Sequence, residues 1–395
     1  MTVTTLGQGL YGPGFQLDPH PALATARVKS PLIRIRHPLL DVECWLALRY
    51  SAVRALLADN RIVKPVEPGE PSSLNSSPPE HTRLRGLVQL AFTRHRVKAL
   101  TPRIRALTNE LLDPILARGE GELVQELTNP LPMRVNCEML GLPRSEWDEV
   151  TRCTKGFVDG EDTDRIREAF QLTNDYVVDL VAGNHARSGD DLISALIDAR
   201  EGTDRLSEDE LVRMLMSLLV NGYVSTALAL ANAVHSLTTH PDQWALLRSR
   251  PELIDSAVDE LLRFEPPVSA VTWTAAESLV VEGIPIQAGD LVITSFQAAN
   301  RDPDRFTQPD RLDVTRSPNP HVTFSHGIHR CLGASLARLE TTIVLETLVN
   351  RCPDLHLAGP ARRHDAQIVR GLAALPITTH QGTGRAAGRT NEGEL

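Results

Sequence analysis

The decapeptide FSHGIHRCLG, residues 324–333, leads directly into a predicted helix over 331–350. A thiolate at the start of that helix, on Cys331, would feel the positive end of the helix dipole and the unpaired backbone N–H groups. Both effects lower the pKa of a thiol, and both suit a sulfur that is bound to a metal. Three neighbouring residues would let backbone and ring atoms approach a flat object closely: Phe324, Gly327 and Gly333.

The cysteine also admits two plainer interpretations. A lone cysteine is most often a small, buried core residue. A zinc site could use Cys331 together with His329, but no second pair of ligands lies at zinc spacing in the sequence. The residue types and their spacing leave both interpretations open.

The segment resembles the haem-binding signature of the cytochrome P450 family at five positions: Phe324, Gly327, His329, Cys331 and Gly333. The resemblance implies that Cys331 is the axial ligand of the iron of haem b, whose thiolate favours cleavage of the O–O bond. It also implies that His329 binds a haem propionate. Ser325 stands where many members of the family have glycine. The implied fold is mainly α with a minor β region, with a long central distal helix and the cysteine loop on the proximal side of the haem.

Other contacts to the haem are implied by two further segments. Residues 80–92, EHTRLRGLVQLAF, resemble the helix that brings His81 and Arg85 to the propionates, four residues apart on one helix face. Many bacterial members have another propionate-binding arginine two residues before an alanine. Here that position is Trp273, before Ala275, which either weakens haem anchoring on one side or puts an indole near the haem edge.

A structural cluster is implied by the segment ELLR, residues 260–263. Glu260 and Arg263 share one helix face and match the Glu-x-x-Arg pair of the family. In the family this pair meets a second arginine from a later loop, and Arg311 matches that third position. The resemblance therefore implies a buried cluster with a structural role.

The segment NGYVSTA, residues 221–227, lies where the family activates oxygen. Gly222 would let dioxygen and substrate approach the helix, and the Ser225 hydroxyl would take the place of the usual alcohol. Asn221 would either be satisfied by the backbone or orient a substrate. The acid of the family is replaced by Val224, which cannot relay the protons that a carboxylate and a hydroxyl normally deliver.

Three functions are compatible with these residues. The first is hydroxylation of a small, mostly apolar molecule in secondary metabolism by activated dioxygen. The second is radical oxidative C–C or C–N coupling of an aromatic substrate, such as an indole-bearing cyclic dipeptide, which the missing acid at Val224 suggests. The third, of a different class, is a non-catalytic haem-binding scaffold or an activator of a partner enzyme. Retention of Cys331 favours catalysis.

A substrate pocket is expected between the 64–80 loop, the distal helix and the strands that follow residue 267. Its expected lining is Leu218, Val268, Val271, Thr272, Trp273, Phe296 and Leu372. Electrons would have to come from a ferredoxin and an NAD(P)H-dependent ferredoxin reductase, because the chain has no flavin or nicotinamide fingerprint. A basic group would dock that acidic partner: Arg83, Arg94, Arg96, Lys98 and Arg330.

Composition narrows the class of protein further. The 395 residues carry a net charge of −9, which argues against a nucleic-acid binder. Five irregularly spaced cysteines indicate a reducing compartment, and the N-terminus lacks the features of a signal peptide. The apolar stretch 214–234 is interpreted as a buried helix of a protein that does not span a membrane. We expect a cytoplasmic monomer.

Hydrophobic periodicity predicts one helix-rich domain over 1–380, followed by a disordered tail over 381–395. Strands are expected within 31–50 and within 278–297. Helices are expected at 51–60, 82–99, 102–117, 121–140, 145–156, 163–186, 190–200, 207–239, 242–263 and 331–350.

Overall fold

The computed structural model describes most of the chain. The described residues are 15, 17–38, 40–65, 73–89, 92–159, 163–183, 192–194, 196, 206–364 and 369–379. Three predictions lie wholly or largely outside these residues: the tail over 381–395, the middle of the 64–80 loop and the helix over 190–200.

Helices make up most of the described chain, as the sequence predicts. In chain order they are α1 (His20–Lys29), α2 (Tyr50–Ala58), α3 (Glu80–Gln89), α4 (Arg94–Ala99), α5 (Thr101–Arg118), α6 (Pro130–Leu140), α7 (Trp147–Asp159), α8 (Thr163–Gly183), α9 (Glu208–Thr238), α10 (Pro241–Ser249), α11 (Ile254–Phe264), α12 (Phe296–Asn300) and α13 (Ala334–Arg351). Shorter turns are a π-helix at Val124–Thr128 and 3-10 turns at Arg144–Glu146, Pro251–Leu253 and Gly327–His329.

The strands form one larger sheet and three small ones. Their bounds are β1 (Leu32–Arg36), β2 (Glu43–Ala47), β3 (Ile62–Val63), β4 (Glu120–Glu122), β5 (Ala270–Ala275), β6 (Leu279–Val281), β7 (Ile284–Ile286), β8 (Leu291–Ser295), β9 (His356–Leu357), β10 (Arg362–Arg363), β11 (Leu372–Ala374) and β12 (Pro376–Thr378). The larger sheet has the order β1-β2-β8-β5-β3, in which only β2 and β8 run parallel. Its β3 edge brings the segment after residue 63 next to β5.

The long helix α9 runs through the main hydrophobic core. Ser207 caps its N-terminus in a capping box with Glu210, so the backbone N–H groups of these two residues both have side-chain acceptors. Its 18 most apolar residues would suffice to cross a membrane by length and composition, but 67% of that window is buried inside the protein. Burial by protein on this scale is typical of a core helix.

Three predicted helices are shorter or more divided than the sequence analysis expects. The 82–99 segment forms two helices, with Thr93 capping the second. The 121–140 segment begins as strand and π-helix and becomes α-helix only at Pro130, where a proline suits the first turn. The 242–263 segment breaks at Pro251, because proline cannot donate the backbone hydrogen bond that a continuous helix needs.

Candidate active site

The loop before Cys331 is folded tightly on its own backbone. The Cys331 amide donates to the Phe324 carbonyl at 2.9 Å, which closes the loop just before α13. Ser325 has φ +60° and Gly327 has φ +70°, so both occupy the left-handed region that favours glycine. A Cβ on Gly327 would clash with the carbonyl oxygen of Leu57 in α2. The glycine therefore serves a close backbone contact with α2, and it does not line the cavity described below.

Cys331 is open to a cavity of about 360 Å³ that separates its loop from α9. Burial by protein raises the pKa of its thiol, whereas the Gly333 backbone N–H and the charges of Arg85, Arg330 and Arg338 oppose the rise. The helix-terminal effect expected from the sequence is thus present but outweighed by desolvation. Without a bound cation, the sulfur would remain protonated at neutral pH.

Seven of the residues expected around a substrate line this cavity: Leu218, Asn221, Gly222, Ser225, Val268, Val271 and Phe296. Three others do not, and the structure corrects them. Thr272 points to the opposite face of β5, where its hydroxyl lies 3.0 Å from His37 Nε2. Leu372 is packed into the main core. Trp273 is buried beside the cavity, with its ring centroid 5.5 Å from that of His329.

The structure explains the glycine at position 222 differently from the sequence-based expectation. A Cβ at this position would lie 2.7 Å from Oδ1 of Asn136, a buried residue of α6. The Asn136 amide group donates to the Leu218 and Leu219 carbonyls at 3.0 and 3.1 Å. The glycine thus accommodates the packing of α6 on α9. The side-chain amide of Asn221 donates to the Ser217 hydroxyl at 3.1 Å, and it bonds no backbone group of the described residues.

Three residues of α9 that line the cavity carry hydroxyl groups: Ser217, whose hydroxyl accepts from the Asn221 amide, Ser225 and Thr226. Only Ser225 among them was predicted from the sequence. Val224 packs against the main core and is not part of the lining. Within the described part of the chain, no aspartate or glutamate lines this cavity. Proton donors on this wall are therefore hydroxyls.

Cationic and imidazole side chains gather at one rim of the cavity. The rings of His81 and His329 have centroids 4.5 Å apart, and His81 Nε2 is buried without a hydrogen-bond partner. Arg85 donates to the Arg330 carbonyl at 2.5 Å. Burial, together with the nearby charges of His81, Lys64 and Arg85, lowers the pKa of His329 to about 4. The rim is therefore suited to an anionic group.

The buried ionic cluster under the cavity contains a different second arginine from the predicted one. Arg263 Nε and Nη2 donate to the two Glu260 oxygens at 2.7 and 2.8 Å, and both residues are fully buried. The third charged partner is Arg316, whose Nε lies 3.0 Å from Glu260 Oε2. The side chain of Arg311 is exposed, and only its backbone carbonyl accepts from the cluster. The prediction of Arg311 is therefore wrong, because the loop turns its side chain outward.

The expected basic docking group also changes in the structure. Arg83 is paired with Glu210 of α9, so its charge is partly neutralised. The side chains of Arg94, Lys98 and Arg330 are exposed. Helix α4, which contains the first two, packs against α13, the helix that follows the cysteine loop.

A family model and the most similar curated proteins all point to one family. A family model described as Cytochrome P450 matches residues 243–355. The chain is 39% identical to the cytochrome P450 monooxygenase PikC of Streptomyces venezuelae, across 97% of this chain and 96% of that one. It is 40% identical to a mycinamicin IV hydroxylase/epoxidase of Micromonospora griseorubida, across 88% and 92%. The chain belongs to the cytochrome P450 family.

A solved P450 confirms the fold. The bacillaene polyketide synthase cytochrome P450 PksS of Bacillus subtilis 168 superposes with a TM-score of 0.88 at 33% identity, covering 94% of this chain and 99% of that one. The chain is therefore a soluble bacterial P450, an oxidoreductase of the monooxygenase type. The non-catalytic scaffold is left without support, and family membership implies a haem cofactor.

The residues around the cavity fit a haem. Its floor presents a thiol, its rim presents cations, and an imidazole nitrogen of His81 is buried there without a partner. Buried polar atoms normally have hydrogen-bond partners, so an unpaired nitrogen beside a cationic rim indicates that a bound group supplies the missing acceptor or donor.

Sequence reasoning did not find four residues of this region: Lys64, Asn136, Thr226 and Arg316. Thr226 could have been selected, since it adjoins Ser225, but the other three depend on long-range contacts.

Proposed function

We propose that this P450 is a haem b-dependent monooxygenase that hydroxylates a small, mostly apolar molecule of secondary metabolism. The observation that carries the proposal is the position of the Cys331 sulfur in the same cavity as the α9 hydroxyls. The relatives support hydroxylation in general. They leave the substrate of this chain open, so its character is argued from the lining.

In this proposal each side of the cavity has its own role. Cys331 would hold the haem iron through its sulfur, and the Gly333 N–H that donates to this sulfur would stabilise the thiolate form. His81, Arg85 and His329 would hold the propionates at the rim. When bound, the haem supplies an iron centre at which dioxygen is activated for insertion of one oxygen atom into the substrate.

Proton supply falls to Ser225 and Thr226. Both hydroxyls face the cavity, while Val224 is turned into the core and no described carboxylate lines the wall. Each hydroxyl can hold a water molecule and pass a proton along it. Positioned acid–base groups typically contribute about 10²–10⁴-fold to a rate, so the lack of a carboxylate in this relay should lower the rate of proton delivery by no more than that factor.

The substrate contacts mainly apolar side chains in this proposal. Leu218, Val268, Val271 and Phe296 supply the walls, and the amide of Asn221 supplies a polar group at the outer end. A second cavity of about 730 Å³ shares Leu74, Asn75, Ser217 and Asn221 with the first. Ligand pockets of roughly 300–1,000 Å³ take molecules of drug size, so the second cavity has the volume for such a molecule beside a haem in the first.

The axial ligand is tested by the spectrum of the reduced, carbon-monoxide-bound protein. Wild type is expected to give the red-shifted Soret band of a thiolate ligand, and Cys331→Ser is expected to lose it. Cys352→Ala, a change at a buried cysteine of the core, is the matched control and should retain the band. A thiolate band in the Cys331→Ser protein would contradict the assignment.

Radical coupling of an aromatic substrate is the second candidate, because Val224 replaces the usual acid. The two reactions differ in the fate of oxygen. With ¹⁸O₂ and a substrate found by its spin-state shift, hydroxylation puts one labelled atom into the product. A dehydrogenated or coupled product without label would favour the second candidate over the first.

We also propose that electrons come from a ferredoxin served by an NAD(P)H-dependent reductase. Arg94, Lys98 and Arg330 lie on the cysteine side of the molecule and are exposed, so they can steer an acidic partner. Reduction rates should fall steeply as salt rises, and Lys98→Glu should weaken the salt dependence. Reduction rates that change neither with salt concentration nor in Lys98→Glu would contradict docking at this surface.

A further inference from the structure

Trp273 occupies the position at which many bacterial relatives are expected to bind a propionate through arginine. Its indole is 2% exposed, and Nε1 donates to the Thr294 hydroxyl at 2.9 Å. The only hydrogen-bond donor of the indole is therefore already used inside the sheet. The ring cannot replace the missing cation itself.

A cation reaches the same place from the neighbouring strand. Strand β3 pairs with β5 in the register Ile62 with Ala275 and Val63 with Thr274. The next residue of the chain, Lys64, therefore emerges opposite Trp273. Its Nζ lies 4.1 Å from the indole centroid, and the side chain lines the cavity that contains Cys331.

The ammonium group lies beside other nitrogen groups of the rim. His329 is 5.5 Å from the Trp273 ring, between that ring and His81, and its pKa is lowered partly by the charge of Lys64. Among the described residues, no carboxylate pairs with Lys64, and burial lowers the pKa of its ammonium group to about 8. A half-buried cation on a rim of like charge is costly unless an anion joins it.

We propose that Lys64, held over the face of Trp273, binds a haem propionate in place of the absent arginine. The indole fixes the ammonium group by a cation–π contact, which leaves the N–H donors free to reach the cavity. Lysine and tryptophan thus act together where relatives use one arginine. The inference rests on the proposed haem site and adds a ligand to it.

The test measures haem loss to excess apomyoglobin, which does not depend on turnover. Lys64→Met and Lys64→Gln should lose haemin roughly tenfold faster than wild type, because each variant loses a charge-assisted hydrogen bond to the propionate. Lys64→Arg should lose it nearly as slowly as wild type. Lys29→Met, at an exposed lysine of α1, is the matched control and should behave as wild type.

Haemin dimethyl ester separates a propionate contact from simple packing. With both propionates esterified, wild type and Lys64→Met should release the porphyrin at the same rate. Equal rates with ordinary haemin, or a difference that persists with the ester, would overturn the inference. The carbon-monoxide spectrum of each variant keeps the two proposals apart, because a normal thiolate band with unchanged haem loss refutes only the role of Lys64.

Discussion

Replacement of Arg316 by methionine tests the buried cluster that the structure assigns differently from the sequence. Glu260 is 0% exposed, and its Oε2 accepts from Arg263, Arg316 and Asn319 at 2.7, 3.0 and 3.0 Å. Arg316→Met removes one of the two guanidinium groups around this carboxylate. Removal of one partner of a buried ion pair costs about 3–5 kcal/mol. Because Arg263 still holds both carboxylate oxygens, we expect a loss near the low end, about 3 kcal/mol.

The matched control is Arg311→Ala, at an exposed side chain that makes no contact with the carboxylate. Surface changes of this kind usually lie within about 0.5 kcal/mol. Urea unfolding of the haem-loaded protein, followed by tryptophan fluorescence and the Soret band, measures both. With an m-value near 3 kcal/mol/M, Arg316→Met should lower the midpoint by roughly 1 M. Equal midpoints for the two variants, or a larger shift for Arg311→Ala, would refute the assignment.

Three further predictions concern the hydroxyls of α9, the backbone at Ser325 and the buried carboxylate of Glu265. Ser225→Ala and Thr226→Ala should each divert roughly tenfold more reducing equivalents to hydrogen peroxide, measured against product, and unchanged coupling would remove that hydroxyl from the relay. Ser325→Gly should raise the free energy of unfolding by about 0.5–1 kcal/mol, because it relieves a left-handed φ and a buried hydroxyl without a partner; a loss of stability in urea titrations would contradict this. Burial would raise the pKa of Glu265, but His20, Arg370 and Arg363 hold it well below the usual range. The ionised Glu265 therefore stabilises the fold above about pH 4.5. The difference in free energy of unfolding between wild type and Glu265→Gln should shrink as the pH falls below that value. A difference that does not change with pH would show that the charge of Glu265 does not contribute to stability.

The sequence predicts best where spacing along one element decides the outcome. His81 and Arg85 share a helix face, and Glu260 and Arg263 do the same, so periodicity alone brings each pair together. Cys331 was identifiable because its neighbours form a compact motif of fixed spacing. Helix ends were less predictable, since prolines and local turns divide segments that look continuous in the hydrophobic pattern.

Predictions failed where two distant segments meet. Whether Arg311 or Arg316 faces Glu260 depends on the path of an irregular loop, which has no periodicity. Lys64 meets Trp273 only through the pairing of β3 with β5, more than 200 residues apart in the chain. The purpose of Gly222 is likewise set by a residue of another helix. Contacts of this kind depend on tertiary packing, on which local patterns carry little information.

The tight apposition of Gly327 and Leu57 has a consequence for how such an enzyme diversifies. The sulfur-bearing turn is seated on α2, while the hydroxyls of Ser225 and Thr226 and the apolar side chains of Leu218 and Val271 belong to α9 and β5. The position of the Cys331 sulfur and the shape of the cavity are consequently determined by separate parts of the scaffold. Mutations that reshape the cavity for a new substrate can therefore accumulate without displacing the sulfur.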